Sequence, residues 1–497
     1  MGDFKRRLTI SVPVDVIYIP FVCDFVRRAS VMAGFDESDA GKIELAVEEA
    51  ASNVISHGFA MGEEESFEVI AEPSSLGIKI ILKEMGEPFD PSQIPQYDPE
   101  VLRTDLSGRG LGVYLMRKVM DEVSFHNLGR GGKETHLFKY FGAAFPGPEG
   151  PDAVSRESET KEAVSEAPGG TVSYTIRRMV LEEAVEVSRC AYSSYSYSYA
   201  IDDIYFPDRV RELNESGKLI SHVAVTDGGE IVGHGGLKTG DQHGVAECGV
   251  IFVKPKFRGQ GCMNSLMKAL IGDGRRKGLS GLSAQAVTSH PFSQKALYKF
   301  GFRDCCLLLS RADPMKFRQI STGKDKRESL ICSFLYLTRP SGKMIFPPAR
   351  HSEMIIALYE ELGAPPLSAV RDIGLPENDS SLRVTTDPYN AATIEILEYG
   401  RNAVSEVKKN LRALCVDRIE TVYLHLDLGS PLTGRLAAEF EDLGFFFAGI
   451  NPGMGKDTLV LQYLNNLQMD YDSLQLASET GQRLARYIRH LDPNLRL

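Results

Sequence analysis

The sequence predicts an α/β protein of several domains. Two segments each alternate short apolar strands with helices, and a polar segment lies between them. A chain of 497 residues is long enough for about three domains. Residues 143–170 are rich in Pro, Gly, Ser and Glu, which bury too little apolar surface to fold, so we predict a flexible linker there.

Composition argues against several classes of protein. The chain is 43% hydrophobic and 25% charged, as in ordinary globular proteins. Its net charge of -11 disfavours general binding to nucleic acid or to an anionic membrane. No apolar run approaches the roughly 20 residues of a membrane span. The 8 cysteines lack zinc-site spacing, so we expect a cytoplasmic protein with inert, reduced thiols.

Residues 1–142 form the first predicted domain, an α/β sandwich. Alternating Leu8, Ile10 and Val12 indicate an opening strand. The predicted strands are residues 8–12, 67–71, 78–82 and 135–140, and the predicted helices are residues 18–33, 38–57 and 110–120.

The helix 38–57 carries a carboxylate and a carboxamide one turn apart, Glu49 and Asn53, at the edge of its apolar stripe. Asn53 offers a carbonyl oxygen to Mg²⁺, which prefers oxygen ligands and shares its coordination with substrate phosphates. Glu49 can accept a proton from an attacking water or hydroxyl group. Alone, such a pair is usually just solvated, so its meaning depends on the blocks that follow.

Three further blocks complete the pattern. The first stands at the end of a strand, the second is a glycine turn that opens the helix 110–120, and the third begins the last strand. The amide groups and dipole of a helix N-terminus favour phosphate. The residues of these blocks are Glu84, Gly86, Gly108, Gly110, Gly112 and Thr135.

Taken in this order, the four blocks resemble the ATP-binding domain of histidine kinases and anti-sigma-factor serine kinases, known as the GHKL or Bergerat fold. The Pro88–Pro91 block is most similar to the anti-sigma kinase branch. The resemblance implies Glu49 as general base, Asn53 as Mg²⁺ ligand, an ATP pocket shaped by the glycines, and Thr135 near the adenine. It also implies an anti-anti-sigma-like protein partner.

One position departs from the family. The family has Asp where this chain has Glu84, and that Asp hydrogen-bonds the adenine amino group. Because Glu is one methylene longer, Glu84 either reaches the adenine by shifting or weakens nucleotide selectivity.

The second predicted domain, residues 171–340, contains a glycine turn between a strand and a helix. Strands are predicted at residues 172–177, 221–226, 231–237 and 246–253, followed by a helix at residues 263–272. Gly259 and Gly261 permit turns in which N–H groups converge on an anion. A third glycine is missing, so the run predicts a pyrophosphate cradle that is not a Rossmann motif. The cradle residues are Val253, Lys256, Phe257, Arg258, Gly259, Gln260, Gly261 and Cys262.

This cradle, together with the segment Ser293–Phe302, resembles the Gcn5-related N-acetyltransferases (GNAT) over about residues 172–310. Lys256 takes a position where the family has Gln or Arg. The resemblance implies acetyl-CoA as cofactor and an amine acceptor, either a small molecule or a protein lysine. It implies Tyr298 as the acid that protonates the CoA sulfur. Glu247, on the strand before the cradle, is the candidate base, with His290 as the alternative.

The tyrosine-rich stretch Tyr192–Tyr199, followed by Tyr205, leaves two interpretations open. In the resembled family this stretch lines the acceptor entrance, where several phenols can hold an aromatic or polar acceptor. The tyrosines can equally pack onto the edge of the sheet.

Residues 341–497 predict a degenerate second GNAT-like domain. Helices are predicted at residues 353–362, 393–414, 434–443 and 471–488, with strands at 421–427 and around Phe445 and Leu459. The order of elements and a Gly-Phe step repeat those of residues 283–309. No glycine cradle is present, which predicts packing without CoA binding. The run Gly449–Asp457 departs from the P-loop pattern and is interpreted as a turn between two strands.

The leading hypothesis is therefore an N-acetyltransferase that uses acetyl-CoA, fused to a regulatory domain that binds ATP and Mg²⁺. A second hypothesis is a partner-switching regulator or a serine/threonine kinase whose GNAT region senses acyl-CoA without turnover. A third is an acetyltransferase gated by ATP, in which the coupling of binding would be reciprocal.

Overall fold

The computed structural model describes residues 7–57, 66–74, 76–88, 111–141, 173–199, 201–240, 244–313, 327–340, 342–371, 373–387, 389–453 and 456–495. The chain divides into two compact units. One comprises Met1–Ser173 with Asp202–Pro207, and the other Tyr174–Ile201 with Asp208–Leu497. The predicted linker at 143–170 lies outside the described residues, as do Gly108 and Gly110.

The described part of the first unit is an antiparallel five-stranded sheet in the order β1-β2-β3-β5-β4, packed against helices. This confirms the predicted α/β fold. Strand β4 was not predicted, because its side chains alternate between exposed and half-buried. The elements are β1 (Leu8–Pro13), α1 (Ile19–Ala33), α2 (Glu37–His57), β2 (Ser66–Pro73), β3 (Gly77–Glu84), α3 (Leu111–Val119), β4 (Glu122–Asn127) and β5 (Lys133–Tyr140).

The core of this unit lies between α1, α2 and the sheet. Val22, Val47 and Ile80 contribute to it from these three elements and are fully buried. Burying one such side chain contributes about 1.5–3 kcal/mol. The apolar stripe of α2 therefore fixes which of its residues stand at the rim, among them Glu49 and Asn53.

The described part of the second unit contains a mixed sheet of 12 strands and a separate two-stranded pair, β13-β14. The strands are β6 (Tyr174–Arg178), β7 (Leu219–Thr226), β8 (Ile231–Thr239), β9 (Val245–Val253), β10 (Gly281–Val287), β11 (Arg303–Ala312), β12 (Glu328–Tyr336), β13 (Met344–Ile345), β14 (Leu367–Ser368), β15 (Ser381–Asp387), β16 (Ala391–Glu398), β17 (Thr421–Asp427), β18 (Phe446–Asn451) and β19 (Thr458–Leu464). The helices are α4 (Ala184–Tyr195), α5 (Pro207–Glu215), α6 (Cys262–Arg276), α7 (Phe292–Lys299), α8 (Ser352–Glu361), α9 (Ala403–Val416), α10 (Pro431–Glu441) and α11 (Glu479–Leu491).

The strand pairing of β8–β12 recurs in β15–β19. In the first set, β8 pairs antiparallel with β9, β9 parallel with β10, and β12 antiparallel with both β10 and β11. In the second set, β15, β16, β17, β19 and β18 pair in the same senses. The parallel crossovers contain α6 and α9. This topology supports an internal repeat, while the origin of residues 341–497 as a degenerate GNAT-like copy stays a prediction.

The two halves of the second unit share one sheet and one core. Strands β11 and β18 pair antiparallel through Cys306 and Gly449. The buried amide of Gln294 donates to the Gln475 carbonyl at 2.8 Å and accepts from the Ala477 N–H at 2.9 Å. A single apolar cluster extends through both halves. The boundary predicted at residue 340 therefore does not separate two independent bodies.

Two predicted helices begin later than expected. Residues 393–398 belong to strand β16, because Ile394 and Ile396 alternate toward the core, and α9 starts only after the turn around Gly400. The last helix starts at Glu479 because Ser478 caps it, its Oγ accepting from the Gly481 N–H at 2.8 Å. The run 449–457 joins β18 to β19, as predicted.

The junction of the two half-sheets depends on Gly449, whose φ is 145°. A Cβ at this position would clash with the Cys305 carbonyl and with Cys306. We therefore expect Gly449→Ala to lower the free energy of unfolding by about 2–4 kcal/mol. The sequence contains no tryptophan, so urea unfolding is measured by tyrosine fluorescence and circular dichroism.

Gly363→Ala is the matched control. Gly363 has a φ of 70° with nothing within 4 Å of an added Cβ, so only backbone strain of about 1–2 kcal/mol is expected. Equal losses in the two variants would contradict the expected clash at the junction.

Candidate functional site

The first candidate site joins α2 to the start of α3. A Cβ added at Gly112 would lie 2.7 Å from Glu49 Oε2 and 3.4 Å from Asn53 Nδ2. Any larger residue at 112 would displace this pair, and both side chains are half-buried at the rim of the core. The structure thus brings together three residues that the sequence predicted for one pocket.

Glu84, the last residue of β3, faces Lys133, the first residue of β5. Glu84 Oε1 lies 3.0 Å from Lys133 Nζ, and both residues are buried. Burial raises the pKa of Glu84, and the Lys133 charge opposes that rise. Glu84 Oε2 is buried without a hydrogen-bond partner among the described residues. A ligand N–H group can satisfy this oxygen.

Sequence reasoning missed Lys133. In the sequence, only its position near Thr135 pointed to Lys133. Thr135 itself is half-buried on β5, opposite Leu82 of β3. Gly132 was missed as well: its φ is 82°, and a Cβ there would clash with the Glu84 carbonyl. Gly86 is buried just beyond β3.

The second candidate site is a cleft between β9 and β10. These strands pair in parallel at only three positions, Gly281–Ser283 against Val245–Glu247. Beyond them the strands lose their pairing, and a cavity of about 750 Å³ is lined by residues of both. A bulge interrupts β9 at Val250, whose φ of 51° is unusual for a β-branched residue.

His234 on β8 fixes this bulge, a contact that sequence reasoning did not identify. Its Nδ1 lies 2.7 Å from the Val250 carbonyl and its Nε2 2.9 Å from Ser221 Oγ. Burial lowers the pKa of His234 to about 4, so the imidazole is neutral at neutral pH. Nδ1–H therefore donates to the carbonyl, and Nε2 accepts from the serine hydroxyl.

The predicted cradle forms a turn into α6. Gly259 and Gly261 have φ values of 78° and 84°, which side-chain-bearing residues rarely adopt. Gly261 is the N-cap of α6 and provides no side-chain cap, so helix N–H groups remain for a ligand. Phe257 and Cys262, on either side of these glycines, are buried and anchor the turn.

The polar side chains of the cradle are bound to neighbouring groups of the protein. Arg258 donates to the carbonyls of Val253 and Ser194, at 3.2 and 3.3 Å. Lys256 lies 3.6 Å from the Glu230 carboxylate, and the Gln260 carbonyl accepts from the Tyr174 hydroxyl at 3.2 Å. Backbone amides are thus left as the anion donors of the loop.

Glu247 stands at the last paired position of β9, where the cleft opens. It lines the cavity, and its carboxylate lies 3.2 Å from Lys238 Nζ. His290, the alternative base, also lines the cavity, and burial lowers its pKa. Both predicted candidates for a base therefore lie in one cavity.

Tyr298 does not line this cavity. Its hydroxyl donates to Asp304 Oδ2 at 2.7 Å, and burial together with this carboxylate raises its pKa. The preceding residue on α7, Leu297, lines the cavity instead. This geometry gives Tyr298 a structural contact and does not support its expected role as the acid for the CoA sulfur.

Some tyrosines of the tyrosine-rich stretch line the cavity, and others pack in the protein interior. Tyr195 and Tyr199 line the cavity, with rings edge-on to Phe252. Burial raises the pKa of Tyr195 to about 12. Tyr192 and Tyr205, by contrast, are buried in the core.

Other predicted features concern cysteines, metals and membranes. All 8 cysteines are free thiols, buried or half-buried, and burial raises the pKa of Cys23 and of Cys262 to about 11. Within the described ranges, no three His, Cys, Asp or Glu side chains are grouped to hold a metal ion. The helices found in those ranges include none with the length and apolar character that crossing a membrane requires.

Comparison with known proteins identifies the two domains. Residues 12–139 match the family profile of the histidine kinase-like ATPase domain, and residues 181–302 match that of the acetyltransferase (GNAT) family. The chain therefore fuses these two domain types, which confirms both resemblances. At this level the expected enzyme class, an acyltransferase joined to a kinase-type ATPase domain, is confirmed as well.

The first domain is similar to serine-protein kinase RsbW. The protein of Bacillus velezensis is 27% identical over 127 residues, which cover 25% of this chain and 79% of the relative. The protein of Bacillus subtilis is 25% identical over 131 residues, covering 26% and 82%. Among solved structures, an N-acetyltransferase from Staphylococcus aureus Mu50 is 19% identical, with 33% of this chain and 99% of that chain covered and a TM-score of 0.29.

Two Tyr→Phe substitutions distinguish a tyrosine that lines the cavity from one that makes a structural contact. We expect Tyr298→Phe to lower the free energy of unfolding by about 1 kcal/mol, since Asp304 loses one buried donor, and to leave acetyl-CoA affinity unchanged. We expect Tyr195→Phe to lower the acetyl-transfer rate. Urea unfolding, acetyl-CoA titration and an acetyl-transfer assay check both variants. A Tyr298→Phe protein of normal stability with reduced transfer would restore the acid role to Tyr298.

Proposed function

We propose that the chain is an N-acetyltransferase that uses acetyl-CoA, acts in the cytoplasm, and is regulated by its ATP- and Mg²⁺-binding first domain. The observation that carries the proposal is the cavity between β9 and β10, which contains Glu247 and ends at the glycine turn into α6. A candidate base and an anion cradle therefore share one cavity.

The cradle fits the pyrophosphate of acetyl-CoA. The positive φ values of Gly259 and Gly261 orient the loop, and the N-terminus of α6 adds N–H groups and a favourable dipole. Acetyl-CoA, when bound, supplies the acetyl thioester. The cavity of about 750 Å³ is large enough for the arm of a cofactor and a small acceptor.

The cavity side chains provide for the proton transfers. Glu247, directly or through water, is in place to take the proton of an acceptor ammonium, and His290 is the alternative. Tyr195 lines the cavity and a phenol is protonated at neutral pH, so in our proposal Tyr195 gives a proton to the departing thiolate. His234 holds the Val250 carbonyl and so fixes the strand beside these groups.

The first domain fits ATP in two respects. The buried oxygen Glu84 Oε2 lacks a partner among the described residues and can accept from the amino group of a base. Glu49 and Asn53 lie together beside Gly112 at the start of α3. In our proposal Asn53 contributes an oxygen to Mg²⁺ and Glu49 acts as base toward a hydroxyl group.

A second candidate function is a partner-switching serine kinase whose GNAT region senses acyl-CoA without turnover. Two observations favour it: Leu297, and not Tyr298, lines the cavity on α7, and the relatives of the first domain carry the name serine-protein kinase. In that case the partner would be an anti-anti-sigma-like protein with an acceptor serine.

Acetyl-CoA binding tests the cradle. We expect Gly261→Ala to weaken acetyl-CoA binding about tenfold or more, because a φ of 84° is strained for Ala and the amide groups must shift. Gly278→Ala, with a φ of 69° and nothing within 4 Å, repeats the strain after the end of α6 and should leave the affinity unchanged. Calorimetry measures both.

Turnover then separates the two functions. We expect Glu247→Gln to lower the rate of acetyl transfer about 100-fold without weakening the binding of acetyl-CoA. If the wild-type protein binds acetyl-CoA but acetylates no amine of a broad panel, the sensor function is favoured. If it binds no acetyl-CoA, the transferase proposal fails.

Magnesium-dependent ATP binding tests the first site. We expect Asn53→Ala to lose most of the gain in ATP affinity that Mg²⁺ provides, and Glu49→Gln to retain ATP binding but lose phosphoryl transfer. Glu48→Gln, an exposed neighbour on α2, is the control. If Asn53→Ala binds ATP in the presence of Mg²⁺ as tightly as the wild type does, the metal role of Asn53 is contradicted. Incubation with labelled ATP and an anti-anti-sigma-like protein distinguishes a kinase from a switch.

A further inference from the structure

The acceptor cavity is not built by the GNAT-matching segment alone. Two of its lining residues come from outside residues 181–302 and carry polar groups: Arg311 at the end of β11, and Tyr389 in the turn between β15 and β16. Tyr389 belongs to the half of the unit that lacks a cradle. That half therefore contributes part of the wall where an acceptor must lie.

Arg311 is held rigidly in this wall. Its Nη2 lies 2.5 Å from Asp387 Oδ2, and its guanidinium carbon lies 5.7 Å from the Tyr389 ring centre and 5.6 Å from that of Tyr423. Two cation–π contacts and an ion pair restrict the orientation of the guanidinium group. The side chain as a whole is 21% exposed.

One donor of this guanidinium is unsatisfied. Nη1 is shielded from solvent and has no hydrogen-bond partner among the described residues. A buried donor without an acceptor is unfavourable, because the group has lost its hydrogen bonds to water. An anionic group of a ligand that reached Nη1 would satisfy this donor, and charge-assisted pairs of this kind are strong and directional.

The charge of the cavity agrees with an anionic acceptor. Its described lining contains four basic side chains and one carboxylate: Lys238, Arg258, Lys299, Arg311 and Glu247. Lys238 is paired with Glu247, and Arg258 is occupied by two backbone carbonyls. Lys299 is exposed to solvent. Arg311, by contrast, has a donor atom that is shielded from solvent and unsatisfied, and Glu247 is the carboxylate of the described lining.

We infer that the acceptor is an amine that also carries a carboxylate, with its ammonium group at Glu247 and its carboxylate at Arg311, and that the second half contributes Tyr389 to this specificity. The inference rests on the proposed acetyl transfer and names its substrate class. It assigns to residues 341–497 a part in acceptor recognition although they contain no cradle of their own.

The test uses matched acid and amide amines. Acetyl transfer is measured with glycine and glycinamide, 4-aminobutanoate and 4-aminobutanamide, and phenylalanine and phenylalaninamide. We expect kcat/KM to favour the acid in at least one pair, and Arg311→Gln to reduce that preference about tenfold or more. Arg311→Lys keeps the charge but loses the planar fork, so it should restore the preference only in part.

Two controls keep the result interpretable. Arg401→Gln removes an arginine that is also paired with an aspartate, but that is 68% exposed and absent from the cavity lining, and it should leave the preference unchanged. The acid-to-amide ratio is measured within one preparation, so it does not depend on the folded fraction of a variant.

An acid-to-amide ratio that Arg311→Gln does not alter overturns the inference, as does failure of every acid to be acetylated. Calorimetry with acetyl-CoA on the same preparation distinguishes the two levels. If acetyl-CoA binds and neutral amines are acetylated, only the inference fails. If acetyl-CoA does not bind, the proposed function fails.

Discussion

The early separation of β9 and β10 is the constraint on which the second unit depends. Parallel strands normally keep their hydrogen bonds along their length, whereas these two keep only three paired positions and leave a cavity beyond. The bulge at Val250 bends β9 away, and its unusual backbone conformation persists because His234 holds the carbonyl from the neighbouring strand. The candidate base, the cradle and the acceptor wall all take their positions from this separation.

The second half of this unit has the same strand order but a different use. Where α6 begins at a glycine turn open to a ligand, the turn before α9 is closed by the chain itself. Gly400 donates its N–H to Ser380 Oγ, and the backbone of residues 378–380 would block any Cβ at Gly400. The lack of a CoA site in this half stays a prediction. Its contribution lies instead in completing the first half, through the shared sheet and through Tyr389.

In the first unit, the charge of the buried Glu84 carboxylate is compensated by a neighbouring lysine. Glu84 is longer than the family Asp, and a carboxylate at this depth is costly unless it is paired. Lys133 supplies that pair on the adjacent strand, and the second carboxylate oxygen, Oε2, is buried without a hydrogen-bond partner among the described residues. A short loop with Gly132 at a positive φ brings the lysine to this position. The compensation thus depends on the register of β3 against β5.

The sequence by itself determined the two domain types through the resemblance of their motifs to known families. The rim positions of Glu49 and Asn53 and the glycine turn at Gly259 and Gly261 follow from local periodicity and residue type. It did not determine side-chain direction or long-range pairing. Only the tertiary structure decided that Leu297 faces the cavity while the adjacent Tyr298 bonds Asp304, since one residue step turns a helix by about 100°. It also decided that Arg311 and Tyr389 share a wall, because that contact joins strands far apart in the chain.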